Sequence, residues 1–396
     1  MYDYCIVGGG IVGLAAAYAI SRQRPGARII VIEKERQLAS HQTGHSSGVI
    51  HAGIYYAPKS FKAELCRAGE RDTKAFCDEN GIPYRTPGKM VVATDDLELQ
   101  RLGALEVNAA ANNISCRRLN GAELIEMEPA VSGVGALLVE QTGIVDYAQV
   151  SRALASYLTA AGGEIVMSVG VERLEERSDH VRVLAPQQSW EARYVIACAG
   201  LQSDRLAVSS GMDVNFQVIP FRGEYFALRS DLSGLVERMI YPVPDPALPF
   251  LGIHLTPMMD GALTVGPNAV LGFAREGYPK FSVNPRDVAA FLGFPGFWKL
   301  IAGNISNGID EMKDSLFKRA YLEKCRKYCP ALQLEDLQPY RTGIRAQAVS
   351  RSGVLIHDFM FLQSKRQLHV CNAPSPAATS ALPIGRMIFD RLHGAK

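Results

Sequence analysis

Gly8-Gly9-Gly10-Ile11-Val12-Gly13 sets glycines at the spacing Gly-x-Gly-x-x-Gly, and Glu33 follows twenty residues after Gly13. Residues of these types at these distances do one kind of chemistry, the holding of a dinucleotide. Gly8 permits a sharp turn, Gly10 lets bare backbone approach a pyrophosphate, and Gly13 lets a helix lie close to a strand. The helix that opens at Ile11 and Val12 turns its unpaired N–H groups and the positive end of its dipole toward the phosphates. Glu33, with Lys34 beside it, accepts hydrogen bonds from the adenosine ribose, and its charge argues against the 2′-phosphate of NADP. The elements that must position these residues are present. Tyr4 to Val7 is a short apolar run, Ile11 to Ser21 is apolar and alanine-rich, and Arg28 to Ile32 is a second strand ending at Glu33.

The rest of the composition bounds the function. A chain of 396 residues predicts two or three domains, so a cofactor unit and a substrate unit are a natural partition. No apolar run approaches the roughly 18 to 20 residues that would span a bilayer. A formal charge of +2 without a long basic run gives no reason to expect nucleic acid. The eight cysteines show no metal-type pairing, so they are expected as reduced thiols and no metal is predicted. The first strand begins near Asp3, which leaves no room for a leader, and a cytoplasmic protein is expected.

Further along, helices are predicted at Phe61 to Asn80, Asp96 to Asn112, Tyr147 to Ala161 and through much of 286 to 329. Residues 42 to 56 have no clear period and suggest a long functional loop or buried segment. Strands are expected at Met90 to Ala93, Gly135 to Val139, Gly143 to Asp146, Val171 to Glu175 and Tyr194 to Ala197. A strand-rich stretch follows from Val214 to Val265, with turns at prolines including Pro249. The chain closes with a strand at His369 to Cys371, an irregular loop and a helix over Pro383 to Leu392. The predicted class is α/β, a Rossmann-like cofactor domain with an inserted α+β, mixed-sheet substrate domain. The cofactor domain is expected to be discontinuous, 1–84, 144–212 and 340–396, with 85–143 and 213–339 forming the substrate domain.

No second glycine fingerprint is present, and "YVIACAG" (Tyr194 to Gly200) resembles the second flavin-contacting strand and turn of flavoprotein oxidases, which favours FAD over NAD. Ala199, Gly200 and Asp204 are cofactor candidates on that ground. The resemblance becomes specific at "HQTGHSSGVIHAGIYY" (His41 to Tyr56), "PFRGEYF" (Pro220 to Phe226), "YPVPDPALPFLGIHLT" (Tyr241 to Thr256), "DGALTVGPNAVL" (Asp260 to Leu271), "GIRAQAV" (Gly343 to Val349) and "NAPSPAATSALPIG" (Asn372 to Gly385). With these blocks the chain resembles, over almost its whole length, the glycine-oxidase and D-amino-acid-oxidase-like flavoproteins, and in detail the L-2-hydroxyglutarate oxidase/dehydrogenase family.

That resemblance implies FAD-dependent oxidation of L-2-hydroxyglutarate to 2-oxoglutarate, with hydride passing from the substrate Cα to flavin N5. A base must take the hydroxyl proton, a task suited to imidazole. His51 is the first candidate and His254 the second; a flavin tether is the other role open to His51. The two substrate carboxylates need cationic or multi-donor partners. Arg345 and Arg222 are the candidates, with Tyr56, Tyr225 and Lys62 as helpers. Thr43, Ser47 and Gly48 are expected near the ribityl and phosphate, and Val171 near the adenine. Pro376, Ala377, Ala378, Thr379 and Ser380 are expected to offer main chain to the flavin pyrimidine. Reduced flavin would pass electrons to oxygen or a membrane quinone, with peripheral inner-membrane contact among the expectations. An amine or amino-acid oxidase of the same fold, a non-catalytic flavin-binding protein and an NAD-dependent dehydrogenase are the rival readings.

Overall fold

The opening strand, Tyr2–Val7, pairs parallel on both sides, with Ile29–Ile32 (Cys5 opposite Ile30) and with Ser189–Ala197 (Cys5 opposite Val195). A strand so placed is covered on both faces, and its second half is continuously buried as a parallel interior strand must be. In this computed structural model, residues 1–246, 252–303, 315 and 317–394 are described. Pro249, the centre of the block before His254, and residues 304–314 and 316 of the predicted helical region lie outside them.

The sheet containing the opening strand runs in the order Arg173–Glu176, Val181–Leu184, Ser189–Ala197, Tyr2–Val7, Ile29–Ile32, Glu164–Val166, and the hairpin Met360–Gln363 and Gln367–Asn372 joins it at Ser189–Ala197. The helices Ile11–Gln23, Tyr147–Ala160 and Ala381–His393 pack together against it. Their approach is close because small residues allow it: a Cβ on Gly385 would sit 2.4 Å from the Ala15 carbonyl oxygen.

A second sheet carries the long antiparallel pair Phe216–Leu228 and Leu337–Ser350. It continues through Leu263–Gly266, His254–Pro257, Met239–Pro242, Lys89–Ala93 and Gly135–Val139 to Arg117–Asn120. A small sheet of Val49–Ile50, Gly143–Val145 and Tyr84–Arg85 lies between these stretches of sequence. The mixed α/β class read from the sequence is what the chain adopts. One boundary needs correction. Residues 340–350, expected with the cofactor domain, form part of a strand paired from Phe216↔Ser350 to Leu228↔Leu337, so they belong to the second sheet. Only a partner more than a hundred residues away reveals that membership. The strand expected from Val171 begins at Arg173, and residues 42–56 form turns around the two-residue strand Val49–Ile50. The eight cysteines are free thiols.

Candidate active site

The glycine turn stands where the opening strand becomes the helix Ile11–Gln23. Gly8 has φ +108°, and a Cβ there would lie 2.3 Å from the Cys198 carbonyl oxygen; one on Gly13 would lie 2.1 Å from the Gly8 carbonyl oxygen. These two glycines are required by the chain itself. Gly10 differs, since its nearest neighbour to an added Cβ is the Thr43 hydroxyl at 3.5 Å, and the space beside it is open. The helix has no side-chain cap and no acid in its first turn, and Ile11 N–H donates to Thr43 Oγ1 at 3.1 Å. A helix start with no acid in its first turn, over an open glycine, is a fitting cradle for a diphosphate. Glu33 is buried, with its carboxylate accepting from the Gly9 and Glu35 N–H groups at 2.6 and 2.8 Å. The turn and the acid are thereby locked together.

One cavity of about 660 Å³ joins this cradle to the other candidate residues. Gly8, Gly10, Ile11, Val12, Gly13, Glu33 and Lys34 line it, as do Thr43, Ser47, Gly48 and Val171. Ala199, Gly200, Pro376, Ala377, Ala378 and Thr379 line it too, together with His51, Tyr56, Lys62, Tyr225, His254 and Arg345. Lys34 is less available than the sequence suggests, because its ammonium is held by Glu35 at 2.7 Å, Glu276 at 2.8 Å and His41 at 3.0 Å.

Three expectations fail. Arg222 lies off the cavity, paired with the buried Glu224. Alternate residues of a strand face opposite ways; Gly223 and Tyr225 look into the cavity with Gly343 and Arg345 of the paired strand, so Arg222 and Glu224 look out. Asp204 is likewise off the cavity. Its carboxylate takes both terminal nitrogens of Arg275 and the Val218 N–H at 2.9 Å, a buried clasp between the two sheet systems. Ser380 begins the last helix, but its Cα is packed beside Gly69 and its side chain is fully buried away from the cavity.

Thr379 fixes the reacting side. Its hydroxyl donates to the Val49 carbonyl at 3.2 Å and accepts the His51 N–H at 3.1 Å, and Tyr147 Oη lies 3.0 Å from it. Cys66 donates to the His51 carbonyl at 3.1 Å. The main chain of His51 is therefore held at both its N–H and its carbonyl, while its ring borders the cavity. Burial pushes the His51 imidazole down to about 3, with the charge of Lys89 and the neighbourhood of His254 acting in the same sense. His254 is also pushed down to about 3, first by burial and then by the charges of Arg345 and Lys89. Its Nδ1 lies 3.2 Å from the Gly252 carbonyl, which can only accept, so Nδ1 carries the proton and Nε2 keeps its lone pair. The ring stacks on Tyr241 at 4.0 Å. Both imidazoles are thus neutral proton acceptors in a site where Arg345 supplies positive charge. Lys62, its ammonium 5.5 Å from the Tyr56 ring, is lowered by burial to about 8.

The sequence reading passed over several lining residues, among them Tyr55, Tyr241, Gln347 and His45, whose ring stacks on Tyr278 at 3.7 Å. His45 and Tyr55 lie inside the block that carried the resemblance, and Tyr241 opens another. Lys89 was also missed, although a lysine heading the apolar run Met90 to Ala93 is itself a signal.

Comparison with known proteins agrees with this geometry. The chain is 50% identical over 394 residues to L-2-hydroxyglutarate dehydrogenase of Escherichia coli K12, covering 99% of this chain and 93% of that protein. It is 42% identical to the mitochondrial L-2-hydroxyglutarate dehydrogenase of Bos taurus, covering 99% and 89%. Among solved structures, L-α-glycerophosphate oxidase from Mycoplasma pneumoniae with FAD bound superposes with TM-score 0.80 at 22% identity, covering 99% of this chain and 94% of that one. Glycine oxidase from Geobacillus kaustophilus gives 0.75 at 18%, covering 100% and 95%. Residues 3–391 match the family described as FAD dependent oxidoreductase (DAO). The glycine cradle, the mixed α/β fold and half-identity along nearly the whole length lead to one conclusion: this chain is a member of the DAO family of FAD dependent oxidoreductases.

Proposed function

We propose that the enzyme oxidises L-2-hydroxyglutarate to 2-oxoglutarate. The observation that carries this reading is the single cavity that sets His51, His254 and Arg345 on the same space as the glycine cradle, in a chain half-identical to a dehydrogenase of that substrate. FAD, when bound, accepts the hydride from the substrate Cα. The chain supplies the rest. Gly8 to Gly13, Glu33, Thr43, Ser47, Gly48, Val171, Ala199, Gly200 and the Pro376 to Thr379 loop hold the cofactor. His51 takes the hydroxyl proton, for which its neutral ring and pinned main chain suit it, and His254 is the second acceptor. The Arg345 fork takes a substrate carboxylate in two parallel hydrogen bonds, with Tyr56, Tyr225 and Lys62 as helpers.

The two large sheets are proposed as the cofactor and substrate units, with 337–350 assigned to the latter. Oxygen or a membrane quinone is the proposed final acceptor. Peripheral contact with the inner membrane from the cytoplasmic side is supported by the exposure of Phe281, Val283, Trp298 and Phe317, and of Lys280, Arg286 and Lys299, among the described residues of 280–303 and 317. No helix among the described residues is long and apolar enough to cross a membrane.

Anaerobic reduction of the bound flavin by L-2-hydroxyglutarate, D-2-hydroxyglutarate, L-lactate, glycine and sarcosine tests the assignment. The L-2-hydroxyglutarate trace should bleach fastest. A preference for the D form or for an amine refutes the substrate, and a flavin that none of them reduces points to the non-catalytic reading.

A further inference from the structure

Lys89 is 1% exposed, yet among the described residues no carboxylate lies within ion-pair distance of it. Its ammonium instead lies 4.4 Å from the centroid of the Tyr55 ring and 4.8 Å from that of Tyr241. Both rings line the cavity, while Lys89 stands behind them. Two aromatic faces offset only part of the cost of burying a cation.

We propose that Lys89 is the reserve counter-charge for the substrate, acting through the Tyr55–Tyr241 wall, and that a dicarboxylate entering the cavity draws a proton from water onto its amine. This rests on the dicarboxylate reading above. Lys89 touches neither substrate nor cofactor and is a positioning residue whose charge is set by what occupies the site.

The helix Asp96–Ala111, which packs against the Lys89 strand, carries Asp96, Glu98, Arg101 and Glu106; Glu98 is paired with Lys327, Arg101 with Asp245 and Glu106 with Arg118. The titratable groups on the cavity side bring no negative charge of their own. Tyr55 and Tyr56, from the segment after Val49–Ile50, Cys66 of the helix Phe61–Glu79 and Tyr241 of the neighbouring strand are all raised by burial, Cys66 to about 12. The other flanking strand, Gly135–Val139, has no titratable side chain. His51 and His254 are neutral, and Arg345 adds positive charge. Burial accordingly lowers the Lys89 amine from 10.5 to about 7, so the empty site loses this charge as pH rises past neutrality. An incoming dianion favours the charged form and raises that value. Between the empty and occupied values, binding takes up a proton, and affinity falls as pH rises, by up to about tenfold per pH unit.

The test uses oxidised holoenzyme and 2-oxoglutarate as the probe, with dissociation constants from pH 6 to about 9.5 and calorimetry in phosphate and in Tris to read proton uptake. Wild type should bind more weakly as pH rises above about 7, with uptake of up to one proton. Lys89→Met should bind weakly at neutral pH and show neither the slope nor the uptake, and Lys89→Arg should restore binding without the slope. Melting temperature and flavin content confirm that the variants are folded. If Lys89→Met keeps both slope and uptake, the proton belongs to Lys62 or a histidine and the Lys89 assignment fails alone. If wild type does not bind 2-oxoglutarate, the dicarboxylate reading fails and takes this proposal with it.

Discussion

The glycine cradle and the imidazole side of the same cavity are built on opposite principles. At Gly8, Gly10 and Gly13 the working feature is the lack of a side chain, and the chemistry is main-chain N–H and helix dipole. Around His51 and His254 the working feature is side-chain charge, and it is set by burial more than by specific ion pairs. The first region tolerates no added atoms at Gly8 and Gly13, where the chain itself would clash, and at Gly10 they would fill the space kept for the diphosphate. The second tolerates substitution of similar volume but not a change of protonation.

The largest expected effect separates the three glycines. Gly13→Val places a Cβ 2.1 Å from a carbonyl oxygen and should cost on the order of 3 kcal/mol or more, read as loss of soluble, folded protein. Gly10→Val meets only open space and should instead give folded, colourless protein. Full flavin content in Gly10→Val would erase the distinction between glycines kept for the fold and the one kept for the ligand.

On the other side, His51→Asn should retain flavin and slow its reduction by substrate about 10²- to 10⁴-fold. An unchanged rate would move the proton to His254. Arg345→Met should also keep its flavin but weaken apparent substrate affinity by about 10- to 100-fold, given the worth of a charge-assisted fork; equal affinity and turnover would remove the carboxylate role.

The last effect is on stability and is confined to acid pH. The folded-state values of His51 and His254 lie near 3, below the ordinary 6.5 of the unfolded chain. Between those values the unfolded chain binds more protons, so stability should fall as pH drops from about 6.5 toward 3. His51→Asn should flatten that acid limb of a melting-temperature profile, and an identical limb in the variant would mean that the ring is hydrated.

The glycine turn was legible because its code is local: strand, turn, helix and acid lie within 33 residues. The reacting residues were legible only through whole motif blocks, and motif membership does not say which way a side chain faces. Arg222 and Tyr225 share a block, and strand alternation sends one out and the other in. Asp204 was misread because its partner, Arg275, is 71 residues away, and the 340–350 boundary because its pairing strand is more remote still. Lys89 was passed over because surface exposure is the ordinary state of lysine.

A crystal structure of the oxidised holoenzyme with 2-oxoglutarate tests most directly the claim that one cavity serves both binding and reaction. It should show the diphosphate over Gly10, one ligand carboxylate in the Arg345 fork and the 2-oxo carbon beside the His51 ring. A dicarboxylate seated away from Arg345 and both imidazoles, with the flavin in place, would contradict the account.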